Sequence, residues 1–124
     1  MKIAVIGSRK FKDKNLVEYI ILLNFKEGDT LVSGGAKGVD SYAEEILEKM
    51  NKEVAFTGTL LFDKIIFKPN WNKYGKSAGF IRNKLIIDEA DKVIAFWNGK
   101  SKGTKHSINL ALKANKPINI YVRN

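Results

Sequence analysis

The chain has no cysteine, which excludes disulfides and thiolate metal sites. A single histidine, His106, excludes a histidine-rich metal centre, so neither a metal nor a cofactor is expected. No apolar run approaches the roughly 20 residues that cross a bilayer. The opening Met1-Lys2-Ile3-Ala4-Val5-Ile6-Gly7 is too short and too soon interrupted for a secretory signal. It reads as a strand, and a cytoplasmic location with no membrane partner is the expectation. Acidic side chains are missing from everything after Asp91. Residues 1–63 carry nine basic and ten acidic side chains, whereas residues 64–124 carry thirteen and three. That asymmetry favours an anionic partner, although lysines that only solvate helix faces produce part of the same excess.

What remains is a chain of 124 residues, 44% apolar and 28% charged, a balance that suits one globular domain over residues 1–124. Strand-like and helix-like segments alternate along it. Strands are expected at 2–7, 29–33, 64–68, 92–97 and 118–122. Helices are expected at 14–24, with Leu16, Tyr19, Ile20 and Leu23 inward, and at 38–50, with Val39, Ala43, Ile46, Leu47 and Met50 inward. Two more are expected at 76–89, with Ala78, Ile81 and Leu85 inward, and at 103–115. Pro69 stops the third strand and Pro117 stands at the entrance of the last. The stretch 52–63 is open to two readings: an edge hairpin of 53–56 with 57–62, or an inserted loop. Strands separated by helices imply parallel β-α-β units with right-handed crossovers. The predicted architecture is α/β, a three-layer Rossmann-like sandwich with a mainly parallel five-stranded sheet in the order 3-2-1-4-5. Its ligands belong at the carboxyl ends of the strands, at the switch point between strands 1 and 4.

Three glycine-bearing turns fall at that edge: Gly7-Ser8-Arg9, Ser33-Gly34-Gly35-Ala36-Lys37-Gly38 and Gly99-Lys100-Ser101-Lys102-Gly103-Thr104. Glycine lets the backbone approach a ligand without a Cβ in the way. Successive N–H groups beside a helix N-terminus attract anions, phosphate above all. Arg9 suits a bidentate phosphate contact, Lys37 or Lys102 adds a point charge, and Ser101 with Thr104 can cap the last helix. Tight turns alone would also use these glycines. Asp40, just beyond the second turn, is either a cap of its helix, a partner for a ribose hydroxyl, or a base.

Residues 64–84 hold six basic side chains and no acid, interleaved with Phe67, Trp71, Tyr74 and Phe80. Aromatics stack on bases while cations hold phosphates. Phe67 and Phe80 read better as core; Trp71, and Trp97 at the end of strand 4, are the candidates for stacking. Arg82-Asn83 either reaches a phosphate or ribose or satisfies loop carbonyls. The dinucleotide pattern GxGxxG is absent. The two Gly-Lys-Ser tripeptides lack the leading glycine of a P-loop, with Asn70 and Ile94 in its place. His106 with Ser107 or Ser101 lacks an orienting acid for a nucleophilic pair.

Taken in order, Gly7-Ser8-Arg9, Ser33 through Asp40, Lys68-Pro69-Asn70-Trp71, Gly79-Phe80-Ile81-Arg82-Asn83, Ala95-Phe96-Trp97-Asn98-Gly99 and Ser101-Lys102-Gly103-Thr104 resemble the SLOG superfamily of Rossmann-like nucleotide-ligand domains. Within it they resemble the small YspA-like proteins of bacteria and phages. Two better-known families of that superfamily imply different activities. The DNA-processing protein A family binds single-stranded DNA and carries a Ser-Gly-x-Ala-x-Gly-x-Asp turn and a later Arg-Asn pair, which Ser33–Asp40 and Arg82-Asn83 resemble. The Lonely Guy family of phosphoribohydrolases carries Pro-Gly-Gly-x-Gly-Thr-x-x-Glu. Gly103-Thr104 match its Gly-Thr, but Ser107 stands where its catalytic glutamate would, and Lys100-Ser101 replace its Gly-Gly.

The sequence therefore yields a binding or sensor module for a nucleotide or nucleotide-derived ligand. Its expected ligand residues are Gly7, Ser8, Arg9, Ser33, Gly34, Gly35, Lys37, Gly38, Asp40, Trp71, Arg82, Asn83, Trp97, Gly99, Ser101, Gly103 and Thr104. The first alternative is a nucleotide N-glycoside hydrolase with Asp40 as its catalytic group; the second is a single-stranded DNA-binding protein. The resemblance also implies a homodimer.

Overall fold

The computed structural model describes residues 1–53 and 61–124. Strands β1 (Lys2–Gly7), β2 (Thr30–Ser33), β3 (Asp63–Ile66), β4 (Lys92–Trp97) and β5 (Ile118–Val122) form one sheet in the order β3-β2-β1-β4-β5. Every pairing is parallel. The helices are α1 (Lys14–Asn24), α2 (Val39–Glu53), the short α3 (Trp71–Tyr74), α4 (Ala78–Glu89) and α5 (Lys102–Lys113). The chain runs from β1 to β2 on one side and returns to β4 on the other. That reversal is the predicted switch point, and it leaves a crevice at the carboxyl ends of β1 and β4.

Side-chain alternation divides the core into two layers. Ile3 and Val5 of β1 join Leu31, Ile94 and Phe96 under Val17, Ile20 and Ile21 of α1 and Val39, Ala43 and Leu47 of α2. Ala4 and Ile6 turn the other way and join Val32, Val93 and Ala95 under Ile86 and Ile87 of α4 and Ile108 and Ala111 of α5. Both faces of the central strands are covered, which is why β1 and β4 read as continuous apolar runs.

Two helices turn a different face inward from the one their spacing predicts. Tyr19 and Leu23 of α1 are each 61% exposed, while Val17 and Ile21 are buried beside Ile20. Residues 16–23 are apolar around most of the helix, so the sequence supports more than one stripe. The compact β-branched side chains lie against the sheet. In α4, Leu85 is exposed, and Ile86 and Ile87 enter the core. This helix also starts later than expected. Asn70 Oδ1 accepts the Lys73 N–H at 3.1 Å and caps α3. Gly75, at φ +56, then breaks that helix into a 3-10 turn over Gly75–Ser77 before α4 begins. The third strand is displaced slightly, beginning at Asp63 and ending at Ile66. Glu53, read as the start of a short strand over 53–56, is the last residue of α2; the rest of that strand, and most of the 57–62 segment paired with it, lie outside the described residues.

Candidate functional site

The three glycine turns meet at the crevice. Gly7, the last residue of β1, stands beside Phe96 of β4, and the Ser8 N–H donates to the Phe96 carbonyl at 3.0 Å. A Cβ on Gly7 would fall 2.5 Å from Val39 Cγ2 and 2.8 Å from that carbonyl oxygen, so the start of α2 packs directly on the end of β1. Gly38 has φ +83, and a Cβ there would lie 2.6 Å from the Arg9 carbonyl oxygen. The turns after β1 and β2 thus touch backbone to backbone.

The third turn is tied to the first through side chains. Asn98 Oδ1 accepts the N–H groups of Lys100 and Ser101, both at 2.9 Å, and the Ser8 hydroxyl at 3.2 Å. The Asn98 N–H in turn donates to Ser8 Oγ at 3.2 Å. Ser101 caps α5, accepting from the Thr104 N–H at 3.4 Å and the Thr104 hydroxyl at 3.2 Å. Ser8 Oγ and Thr104 Oγ1 stand 3.4 Å apart. Three hydroxyls and one amide therefore hold the helix N-terminus against the end of β1.

These turns, with α4, enclose a cleft of about 500 Å³. Of the residues expected at a site, Gly7, Ser8, Arg9, Asp40, Arg82, Asn83, Ser101, Gly103 and Thr104 line it. Ser33, Gly34, Gly35, Lys37, Gly38, Trp71, Trp97 and Gly99 do not. Several of these shape it from behind. Ser33 is buried and its Oγ accepts the Gly35 N–H at 3.3 Å. Trp97 Nε1 donates to the Ser101 carbonyl at 3.0 Å and so steadies the third turn. Gly35 and Gly99 turn the chain at positive φ. Lys37 is exposed, and so is Trp71, at 54%, its ring lying over Gly79.

The cleft also takes Ile6, Lys10, Ala36, Ile86, Asn98, Lys100 and Ser107, none of which is among the ligand residues expected from the sequence. For some of them a signal existed. Asn98 precedes a glycine in a strand-end turn, where its side chain commonly bonds nearby backbone. Ser107 lies three residues beyond Thr104, on the same helix face. Lys10 and Lys100 adjoin nominated residues and become liners only through the path of each loop.

Four basic residues, Arg9, Lys10, Arg82 and Lys100, line this cleft with one acidic residue, Asp40. Arg82 Nη1 donates to the Gly34 carbonyl at 3.1 Å and Nε to Asn83 Oδ1 at 3.0 Å. A Cβ on Gly34 would fall 2.5 Å from that Nη1, so the glycine makes room for the guanidinium. Asn83 is buried, and its Nδ2 approaches His106 Nδ1 at 3.4 Å. The His106 ring rests on Phe80, with centroids 4.5 Å apart. Burial lowers the Arg82 pKa; nearby Asp40 opposes that shift and Arg9 adds to it. Asp40 is only 8% exposed, and its Oδ2 accepts the Ala36 N–H at 3.1 Å. Burial pushes its carboxyl up to about 6, against the pull of the Ala36 N–H and the Arg82 charge.

This raised carboxyl predicts a definite pH dependence. Between the ordinary aspartate range near pH 4 and about pH 6, the folded protein keeps a proton on Asp40 that the unfolded chain has lost. Stability therefore falls as pH rises through that window and levels off above it. Urea denaturation from pH 4 to 7 should show this slope in the wild type. Asp40→Asn should be flatter by the same contribution, and an unchanged slope in the variant would contradict the assignment.

Among the described residues, no helix is long and apolar enough to cross a membrane, and no group of three His, Cys, Asp or Glu side chains is placed to hold a metal. The fold has known counterparts. The Gene 61 protein of Mycobacterium phage D29 is 32% identical over 121 residues, covering 94% of this chain and 93% of that one. DNA processing protein A from Helicobacter pylori, whose structure is described with a single-stranded DNA binding mode, superposes with a TM-score of 0.66 at 24% identity. That match covers 97% of this chain and 64% of the other. DNA processing protein A from Streptococcus pneumoniae gives 0.68 at 22% identity, over 96% and 49%. The chain thus spans less than two thirds of either DNA processing protein. The molybdenum cofactor binding protein of Rippkaea orientalis gives 0.63 at 23% identity, over 99% and 77%. At these identities the three structures speak for the shared Rossmann-like fold. The family model described as DNA recombination-mediator protein A matches residues 1–73, more than half of the sequence, and the chain belongs to that family.

Proposed function

We propose that this protein binds a nucleotide or nucleotide-derived ligand in the switch-point cleft and acts as a binding or sensor module. The observation that carries this reading is the convergence of Arg9, Lys10, Arg82 and Lys100 with the capped N-terminus of α5 in one cleft of about 500 Å³. Guanidinium forks and helix N-termini both favour phosphate, and the volume suits a small ligand rather than an ion. Ser101 and Thr104 hold a phosphate or a sugar.

Single-stranded DNA is the second reading. Family membership favours it, as does the run of residues 64–84, where exposed Trp71 and Tyr74 stand among lysines. DNA on that surface would bind with a steep salt dependence, because each neutralised phosphate releases counterions. A mononucleotide in the cleft would show a much shallower one.

Thermal denaturation at fixed salt separates the two. The panel is nucleoside mono-, di- and triphosphates, ADP-ribose, cyclic dinucleotides and a short single-stranded oligonucleotide. A ligand at a hundred times its dissociation constant adds about 2.7 kcal/mol of stability. A shift selective for one nucleotide is the expected result. A shift with the oligonucleotide alone would move the function to the basic surface. Free base released in the same mixtures would establish N-glycoside hydrolysis, with Asp40 as the first residue to replace.

A further inference from the structure

Asp40 poses a problem that the phosphate-binding reading does not solve. A cleft built to attract phosphate gains nothing from a buried carboxylate, which repels the same ligand. Yet Asp40 lines this cleft at 8% exposure. No ion pair neutralises it among the described residues. The Arg82 guanidinium gives two of its five N–H donors to the Gly34 carbonyl and Asn83 and makes no ion pair with Asp40 among the described residues. An ionised carboxylate has about four acceptor positions, and the Ala36 N–H fills one of them. A carboxylate in that position suits a ligand that brings its own hydrogen-bond donor.

Position decides which donor. Asp40 lies close enough to Arg82 for each to shift the other's protonation. It sits two residues after Gly38, whose backbone rests on that of Arg9. The carboxylate is therefore next to the cations that hold phosphate. In a nucleotide the group adjoining the phosphate is the sugar, and the base lies beyond it. We propose that Asp40 reads the sugar: its carboxylate accepts a hydrogen bond from the ribose 2′-hydroxyl, so that the cleft prefers ribonucleotides to 2′-deoxyribonucleotides. This inference rests on the nucleotide reading of the cleft and adds a specificity to it. A carboxylate that served only to brace the 34–38 turn would affect every ligand alike.

The test is a calorimetric titration of wild type and Asp40→Asn with the four ribonucleoside 5′-monophosphates, their 2′-deoxy counterparts, inorganic pyrophosphate and a short single-stranded oligonucleotide. Asparagine keeps an oxygen for the Ala36 N–H, and a melting curve verifies that the variant folds. The wild type should favour the ribo form by about tenfold, the weight of one charge-assisted hydrogen bond. In Asp40→Asn that preference should fall severalfold, while pyrophosphate, freed from repulsion, should bind more tightly than to wild type. Equal affinity of wild type for both sugars would overturn the proposal and leave the nucleotide site standing. So would a preference that survives in Asp40→Asn, or a uniform loss for all ligands including pyrophosphate. Binding of an oligonucleotide with no binding of any mononucleotide would overturn both the sugar contact and the cleft reading beneath it.

Discussion

Gly38→Ala is expected to lower the stability of the protein by about 4 kcal/mol, from left-handed backbone strain and a steric clash together, and to remove ligand binding with it. The residue has φ +83, and the added methyl carbon would lie 2.6 Å from the Arg9 carbonyl oxygen and 2.8 Å from Arg9 Cα. Those neighbours are backbone, so no rotamer change relieves them. The turn after β2 would have to lift off the turn after β1, carrying Arg9 and Asp40 apart. Gly28→Ala is the matched control. Gly28 has φ +92 but, among the described residues, nothing within 4 Å of its added carbon, so it should cost only the conformational part, about 1–2 kcal/mol. Urea denaturation of the two variants measures the difference. Equal losses would show that the contact between the turns is not a constraint.

Arg82→Ala is expected to weaken nucleotide binding by roughly a hundredfold, the loss of a partly desolvated, forked contact to phosphate. The side chain is already oriented: Nη1 on the Gly34 carbonyl and Nε on Asn83 fix the plane of the guanidinium. The remaining donors are left for a ligand. Its removal also leaves Asp40 without the charge that holds its carboxyl down, so the Asp40 pKa should rise further and the cleft become less cationic. Arg82→Lys should recover only part of the affinity, because an ammonium cannot span the Gly34 carbonyl, Asn83 and a phosphate together. Titration calorimetry of the two variants checks this. Full affinity in Arg82→Ala would remove Arg82 from the site.

The sheet order and the three turns were legible because each rests on local chemistry. Continuous apolar runs such as Ala4-Val5-Ile6 and Val93-Ile94-Ala95 mark strands covered on both faces. Alternation with helices then restricts the topology. The clustering of Gly7, Ser8, Arg9, Ser101 and Thr104 follows from topology alone, since all lie at carboxyl ends of neighbouring strands. Helix orientation was less legible. Nothing in 16–23 distinguishes Leu23 from Ile21 by hydrophobicity, and only packing on the sheet buries one and exposes the other. Leu85 and Ile86 differ in the same way. Asn98 joins the site through bonds to Ser8, ninety positions away in sequence, which local spacing does not reveal. Arg82 and Gly34 likewise depend on each other across the fold; the sequence offers them only as separate members of two motifs.

A ligand bound in the cleft between β1 and β4 must perturb the amides that line it, which chemical-shift mapping reads during titration with the nucleotide that raises the melting point most. Shifts are expected to concentrate at Ser8, Arg9, Lys10, Ala36, Asp40, Arg82, Asn98, Ser101, Gly103 and Thr104, saturating at one ligand per chain. Shifts confined to residues 64–77, with those cleft amides unmoved, would contradict binding in the cleft.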